Sequence, residues 1–310
     1  MRLAFEDVSY SYEGGEAKRK GRGRRAEREA AWGNAPDAVW ALRDVTLTVE
    51  PGEFLGVAGH TGSGKSTLIQ HMNGLVHPTC GRVTADGNDL ADKKTAAAVR
   101  SRVGLVFQYP ENQLFATTVY DDVAFGPRNM GLAADEVDRR VREALALVGL
   151  SFDDLSERSP FDLSGGQQRR VAFAGVLAME PEVLVLDEPV AGLDPLSRAD
   201  FLALIATFHA AGMTVVMVSH SMEDLAALAD RILVLSEGRV FALGTPAEVF
   251  SDAAALKSVG LAAPAPEAFA SMLRAEGFRL ERPLYDEAAL AADIAAQLGC
   301  GRAGDGEGNG

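Results

Sequence analysis

The chain has 310 residues, 47% hydrophobic and 24% charged, which is enough for one large or two modest domains around a buried core. Its net charge of −14 disfavours a general nucleic-acid binder, whose phosphate affinity needs clustered Lys and Arg, and its two cysteines, Cys80 and Cys300, lack the spacing and neighbours of a zinc site or a disulfide framework. No run approaches the roughly 20 apolar residues that span a bilayer, and the opening MRLAFEDVSY lacks an apolar signal core, so secretion is not expected and any membrane role should be peripheral.

In chain order, the first local anomaly is KRKGRGRRAER from Lys18 to Arg28, with seven basic residues against one acid. Without periodicity such a run reads as a solvated loop; attraction to an anionic lipid surface is the alternative. Phe54–Ala58 is continuously apolar, as a strand buried on both faces should be. It leads into Gly59-His60-Thr61-Gly62-Ser63-Gly64-Lys65-Ser66, an unbroken G-x-x-x-x-G-K-S, and a helical pattern follows from Thr67. The glycines let the backbone curl so that successive N–H groups face phosphate oxygens, and the helix aims its N-terminal dipole at the same anion. Lys65 would reach the β- and γ-phosphates and the Ser66 hydroxyl would ligate Mg²⁺, so ATP and Mg²⁺ are the expected ligands. His60 and Thr61 fill variable positions of the loop.

Residues 92–162 read as mostly helical, apart from an apolar strand over 103–107 that ends at Gln108. Within 135–148, Val137, Val141, Leu145 and Val148 share one helical face and Gly149 follows as a stop. Leu163-Ser164-Gly165-Gly166-Gln167 then opens another helical run, which makes a second anion cradle at a helix N-terminus. One γ-phosphate does not need two cradles from one chain, so this one is expected to close over ATP held by another subunit. Next, the apolar strand 183–186 ends in Asp187 and Glu188, carboxylates at the ligand edge of a parallel sheet. Asp187 would hold Mg²⁺ and Glu188 would polarise the attacking water. A helix over 198–211 with a Phe201, Leu204, Ile205, Phe208 stripe, and strands at Thr214–Val218 and 232–235, complete a strand–helix alternation.

The predicted fold class is therefore α/β: a P-loop NTPase (RecA-like) core with a parallel sheet, occupying 1–250, with a helical subdomain inserted at about 92–165. A C-terminal helical extension is expected over 251–298, punctuated by Pro264, Pro266 and Pro283, and a disordered Gly-rich tail over 299–310.

Taken together these motifs resemble the ABC ATPases over about residues 1–250, in the family's order. The match also includes Gln108 after its strand, Ala191-Gly192-Leu193-Asp194, and His220 after Thr214–Val218. The resemblance implies that Gln108 senses Mg²⁺ and water beside Ser66 and Asp187, and that His220 contacts the γ-phosphate. It also implies that Asp194 couples two sites across a dimer and that Thr67 borders the nucleotide. Ser164, Gly165, Gly166 and Gln167 would meet the partner's ATP. Tyr12 would stack on adenine, with Tyr10 and Trp40 competing for that role.

Tyr109-Pro110-Glu111-Asn112-Gln113-Leu114-Phe115, followed by residues 118–127, resembles the energy-coupling-factor ATPases of vitamin and metal-ion importers. This implies that Gln108 to Phe115 grips a transmembrane coupling protein. Segments 159–161, 171–181 and 219–224 resemble the second of two paired ATPase types. A heterodimer with a homologous ATPase subunit, separate substrate-binding membrane subunits and a peripheral place on the cytoplasmic face of the cell membrane follow from that resemblance. The C-terminal extension resembles one that assists dimerisation in the family. Val190 departs from the pattern, standing where the family commonly has Thr. The alternatives are another ABC importer's ATPase, a soluble ABC ATPase of DNA repair or translation, and a non-catalytic cassette. A single cassette without a heptad array argues against the soluble class, and retention of Lys65, Asp187, Glu188 and His220 argues against the non-catalytic one.

Overall fold

The computed structural model describes residues 1–12, 39–280, 285 and 287–302. The basic run 18–28 and residues 303–310 therefore lie outside the described residues.

Two sheets organise the molecule. Strands β1 (Leu3–Tyr10), β2 (Leu42–Val49), β4 (Cys80–Ala85) and β5 (Asn88–Asp89) form an antiparallel sheet in the order β2-β1-β4-β5. Strands β3 (Phe54–Ala58), β6 (Val103–Val106), β7 (Val183–Asp187), β8 (Thr214–Val218), β9 (Arg231–Ser236) and β10 (Arg239–Gly244) form the second, ordered β10-β9-β3-β8-β7-β6. All its pairings are parallel except the β9–β10 hairpin at one edge.

Alternate residues of the parallel strands feed two cores, as the pleat requires. Leu55, Val57, Val185, Val216 and Val218 face the antiparallel sheet. Phe54, Ala58, Leu184, Leu186, Val215 and Met217 face the helices. Covering both faces is why these strands show no polar alternation in the sequence.

Helix α1 (Lys65–Met72) follows β3, and α2 (Lys93–Arg100), capped by Asp92, precedes β6. Then come α3 (Val119–Asn129), α4 (Ala134–Leu147), the single turn α5 (Phe152–Leu155) and α6 (Gly165–Leu177). Helices α3, α4 and α6 pack together through Val119, Val123, Val137, Val141, Leu145, Val171 and Ala174. The remaining helices are α7 (Pro195–Ala210), α8 (Met222–Leu228), α9 (Pro246–Phe250), α10 (Ala253–Ser258), α11 (Ala265–Ala275) and α12 (Glu287–Arg302).

Three boundaries differ from those expected of the sequence. Strand β6 lies inside the range expected for the helical insertion yet belongs to the main sheet, so the unbroken helical stretch begins at the 3-10 turn Pro110–Gln113. Helix α7 starts at Pro195, because Asp194 caps it and proline is well suited to a first helical position. Helix α12 continues to Arg302, so the tail expected to be disordered from Gly299 begins as helix.

Candidate functional site

At the end of β3 the chain turns through residues 59–64 and enters α1 at Lys65. Gly64 takes a left-handed conformation, φ 103°, and a Cβ there would collide with the Ala41 carbonyl, so the turn demands glycine. The first turn of α1 contains no acidic side chain and its N-cap makes no side-chain hydrogen bond, which leaves the amides and dipole to meet an external anion. The Lys65 ammonium donates to the Gly59 carbonyl at 2.6 Å and the His60 carbonyl at 3.0 Å. Burial pulls its pKa down, against the opposing charges of Glu188 and Asp187.

Strand β7 delivers the acids to the same place, because β7 and β3 both lie beside β8 in the parallel sheet and end on one edge. The Ser66 hydroxyl donates to Asp187 Oδ2 at 3.3 Å, bridging the loop and the strand end. Burial raises the Asp187 pKa, while the Ser66 hydrogen bond and Lys65 oppose the rise. Glu188, the next residue, has φ 50°, a left-handed conformation that costs a non-glycine residue on the order of 1 kcal/mol and recurs at functional sites. Its Oε1 is buried without a hydrogen bond, and Nε2 of His220 lies 3.4 Å away. Burial pushes the Glu188 carboxyl up to about 7, with a smaller push from Asp187 and opposition from the His220 amide. Burial and then Lys65 lower the His220 pKa.

These groups line a cleft of about 520 Å³, within the range of small-molecule sites. Thr61, Gly62, Gly64, Lys65, Ser66 and Thr67 of the loop and α1 line it together with Gln108, Asp187, Glu188, His220, Tyr12 and Ala41. Gly59, His60 and Ser63 of the loop do not line it: Gly59 and His60 supply carbonyls to Lys65, and Ser63 is fully buried. Tyr12 is 58% exposed and tethered by its hydroxyl to Thr67 Oγ1 at 3.0 Å. Of its two competitors, Tyr10 packs edge-on beneath it at 5.0 Å, and neither Tyr10 nor Trp40 reaches the cleft. Sequence reasoning missed Ala41, and an alanine just before a strand gives no signal by which to find it.

The Ser66 hydroxyl and the Asp187 carboxylate, with the Gln108 side chain lining the same cleft, make an all-oxygen donor set. Among the described residues no three His, Cys, Asp or Glu side chains gather into a metal cage. That set fits a hard cation held partly by phosphate, the usual manner of Mg²⁺.

The second predicted cradle is elsewhere. Ser164 and Gln167 form a capping box at the start of α6, Gln167 N–H donating to Ser164 Oγ at 3.4 Å and Ser164 N–H to Gln167 Oε1 at 3.1 Å. Neither residue lines the cleft. Gly165 and Gly166 are exposed, and a Cβ on either would meet nothing within 4 Å, so the chain's own packing does not call for glycine there. Asp194 is also exposed and caps α7, accepting from the Leu196 and Ser197 amides at 3.1 and 3.0 Å.

Residues 42–191 match the family model described as ABC transporter. The chain is 56% identical to the energy-coupling factor transporter ATP-binding protein EcfA2 of Symbiobacterium thermophilum, over 90% of this chain and 91% of that one. The chain belongs to the energy-coupling factor transporter ATP-binding proteins. Another of these ATP-binding proteins, from Clostridium perfringens, is 50% identical over 79% of this chain and 87% of its own length. Among solved structures, cbiO1 from Clostridium perfringens, part of the ABC transporter complex cbiONQ, superposes with a TM-score of 0.68 at 35% identity, covering 87% of this chain and 98% of that one. A dimeric bacterial ABC transporter cassette superposes with a TM-score of 0.64 at 27% identity, covering 78% and 98%. Among the described residues of this ATP-binding protein, no helix is long and apolar enough to cross a membrane.

Proposed function

We propose that the chain binds ATP in the cleft between the 59–66 loop and Glu188 and hydrolyses it as one half of an ATPase pair that drives an energy-coupling-factor importer. The observation that carries this reading is the convergence of Lys65, Ser66, Asp187, Glu188 and His220 on one cleft. Lys65 and the loop amides hold the phosphates, and Tyr12 stacks on adenine. Ser66, Asp187 and Gln108 would hold Mg²⁺, which when bound offsets negative charge on the phosphate oxygens. Glu188, whose pKa burial pushes up to about 7, accepts the proton of the attacking water in its carboxylate form. The water oxygen bonds to the γ-phosphorus as the bond to the departing ADP oxygen breaks, and His220 steadies the γ-phosphate.

The open glycines of α6 support the partner subunit: they fit a close approach from outside the chain, which on this reading is ATP held by a homologous ATPase. Resemblance to one of two paired types favours a heterodimer. The membrane partner is favoured by an apolar groove of about 430 Å³ beside Gln108 to Phe115, where Phe115, Phe125 and Met130 are exposed. That groove would receive the transmembrane coupling protein on the cytoplasmic face, with cargo, a vitamin or metal ion, chosen by separate membrane subunits.

The test is Glu188→Gln in the chain purified with its partner ATPase and coupling protein. Phosphate release should fall by at least about a hundredfold with ATP binding retained; substantial residual hydrolysis would remove Glu188 from the base role.

A further inference from the structure

Helix α6 carries a buried charge that the cleft does not use. Arg169 lies five residues beyond Ser164, and its side chain is 4% exposed. Its Nε and Nη2 donate to the two carboxylate oxygens of Glu111 at 3.0 and 2.8 Å, a paired fork geometry open to arginine and not to lysine. Its Nη1 points the other way and donates to the Ala191 carbonyl at 2.9 Å and the Pro189 carbonyl at 3.4 Å.

Each segment so joined holds part of the machinery. Glu111 sits in the turn Pro110–Gln113, just past Gln108. Pro189 and Ala191 belong to the loop that leaves Glu188. Arg169 itself rides on the helix whose N-terminus is the Ser164–Gln167 capping box. Tyr109 closes the joint. Its ring centre is 5.9 Å from the guanidinium carbon, and its backbone is held at φ 55°. Across the loop a Cβ on Gly192 would come within 3.3 Å of that ring, so glycine leaves the ring its room.

The parallel pairing of β6 with β7 sets the Gln108 and Glu188 segments side by side, and the Arg169 side chain ties the start of α6 to both, reaching Glu111 across 58 residues of chain. Moving the guanidinium toward either side gives up its hydrogen bonds on the other, the Glu111 carboxylate or the two carbonyls, and an unpaired buried charge is costly. We propose that Arg169 is a positioning residue that locks the Gln108 segment, the loop behind Glu188 and the 164–167 face into one unit, so that the chain's own hydrolytic site and the face it offers to its partner's nucleotide respond together. This rests on the assignment of the cleft as an ATPase site and of 164–167 as the trans face.

The experiment compares Arg169→Lys, Glu111→Gln and the double variant Arg169→Met with Glu111→Met, each in the complex with the partner ATPase and coupling protein. Lysine keeps the charge and loses the fork; the double variant leaves no charged side chain of the pair unpaired and so should melt near the wild-type temperature. The expected result in Arg169→Lys and the double variant is a kcat lowered roughly tenfold or more, with KM for ATP changed less than about threefold, and a Hill coefficient for ATP falling toward one. Glu111→Gln should lie between these and wild type. A double variant that regains wild-type kcat and cooperativity would make Arg169 a structural residue only, and so would wild-type kinetics in Arg169→Lys, which also serves if the double variant does not fold. Glu188→Gln separates the two assignments: hydrolysis that survives it defeats the site reading. An inactive Glu188→Gln beside wild-type Arg169 variants defeats only the joint.

Discussion

Glu188 combines a left-handed backbone, a buried oxygen without a hydrogen bond and a carboxyl pushed from 4.5 up to about 7 by burial. In the nucleotide-free protein that combination has a stability signature. The folded state holds the proton more tightly than the unfolded chain, so below pH 4.5, where both are protonated, Glu188 contributes no pH dependence. Between 4.5 and 7 it lowers stability as pH rises, and above 7 its penalty is constant. Glu188→Gln removes the group that must ionise. In EDTA and without nucleotide, the variant should match wild type near pH 4.5 and exceed it above pH 7 by up to roughly 3 kcal/mol. Denaturant melts at the two pH values measure this, and an equal gap at both would show that burial of the charge is not the cause. The same carboxylate would then be costly for folding and suited to accepting a proton, a trade expected of a catalytic group.

At the scale of elements, the start of α6 is where fold and function ask for different residues. Helix propensity favours alanine over glycine in the first turns, and a methyl group on Gly165 or Gly166 would have no neighbour within 4 Å. Gly166→Ala should therefore leave the isolated chain as stable as wild type or up to about 1 kcal/mol more stable. On the proposed arrangement, in which 164–167 faces the partner's nucleotide, the same methyl would meet that nucleotide in the assembled pair, and ATPase activity should fall roughly tenfold or more. Thermal melts of the chain and phosphate release by the complex give the two readouts; loss of stability in the chain alone would mean that the glycine serves its own helix. This element was legible in the sequence because its information is local: Ser164 and Gln167 form their capping box within a single turn. The 59–66 loop was legible for the same reason. The Arg169 joint was not, since its carboxylate and carbonyl partners lie 58, 20 and 22 residues away and no local pattern reports such a meeting.

Over the whole molecule, what could be read from sequence followed burial. The parallel strands are covered on both faces and stand out as apolar runs, whereas β1, β2 and β4 mix exposed and buried positions and are interrupted by irregular register, so the antiparallel sheet gave no comparable signal. The sheets bring the cleft residues together on one edge. The helical unit of α3, α4 and α6 carries the 164–167 face at the start of α6 and the exposed Phe115–Phe125 pair beside α3, packed edge-on at 4.9 Å. These aromatics are 59% and 49% exposed, so much of their surface is left for a partner, and central aromatics are the side chains that most often dominate a binding interface. Phe125→Ala should change the stability of the isolated chain by less than about 1 kcal/mol, because little core area is lost. It should leave ATP binding intact and weaken co-purification with the membrane coupling protein by roughly tenfold or more, corresponding to an anchor worth about 1.4 kcal/mol or above. The measurement is pull-down of the coupling protein across a concentration series, with the partner ATPase as internal control. Loss of both partners would point to a misfolded helical unit, loss of the coupling protein alone would place the docking surface at this groove, and retention of both would move it elsewhere on the molecule.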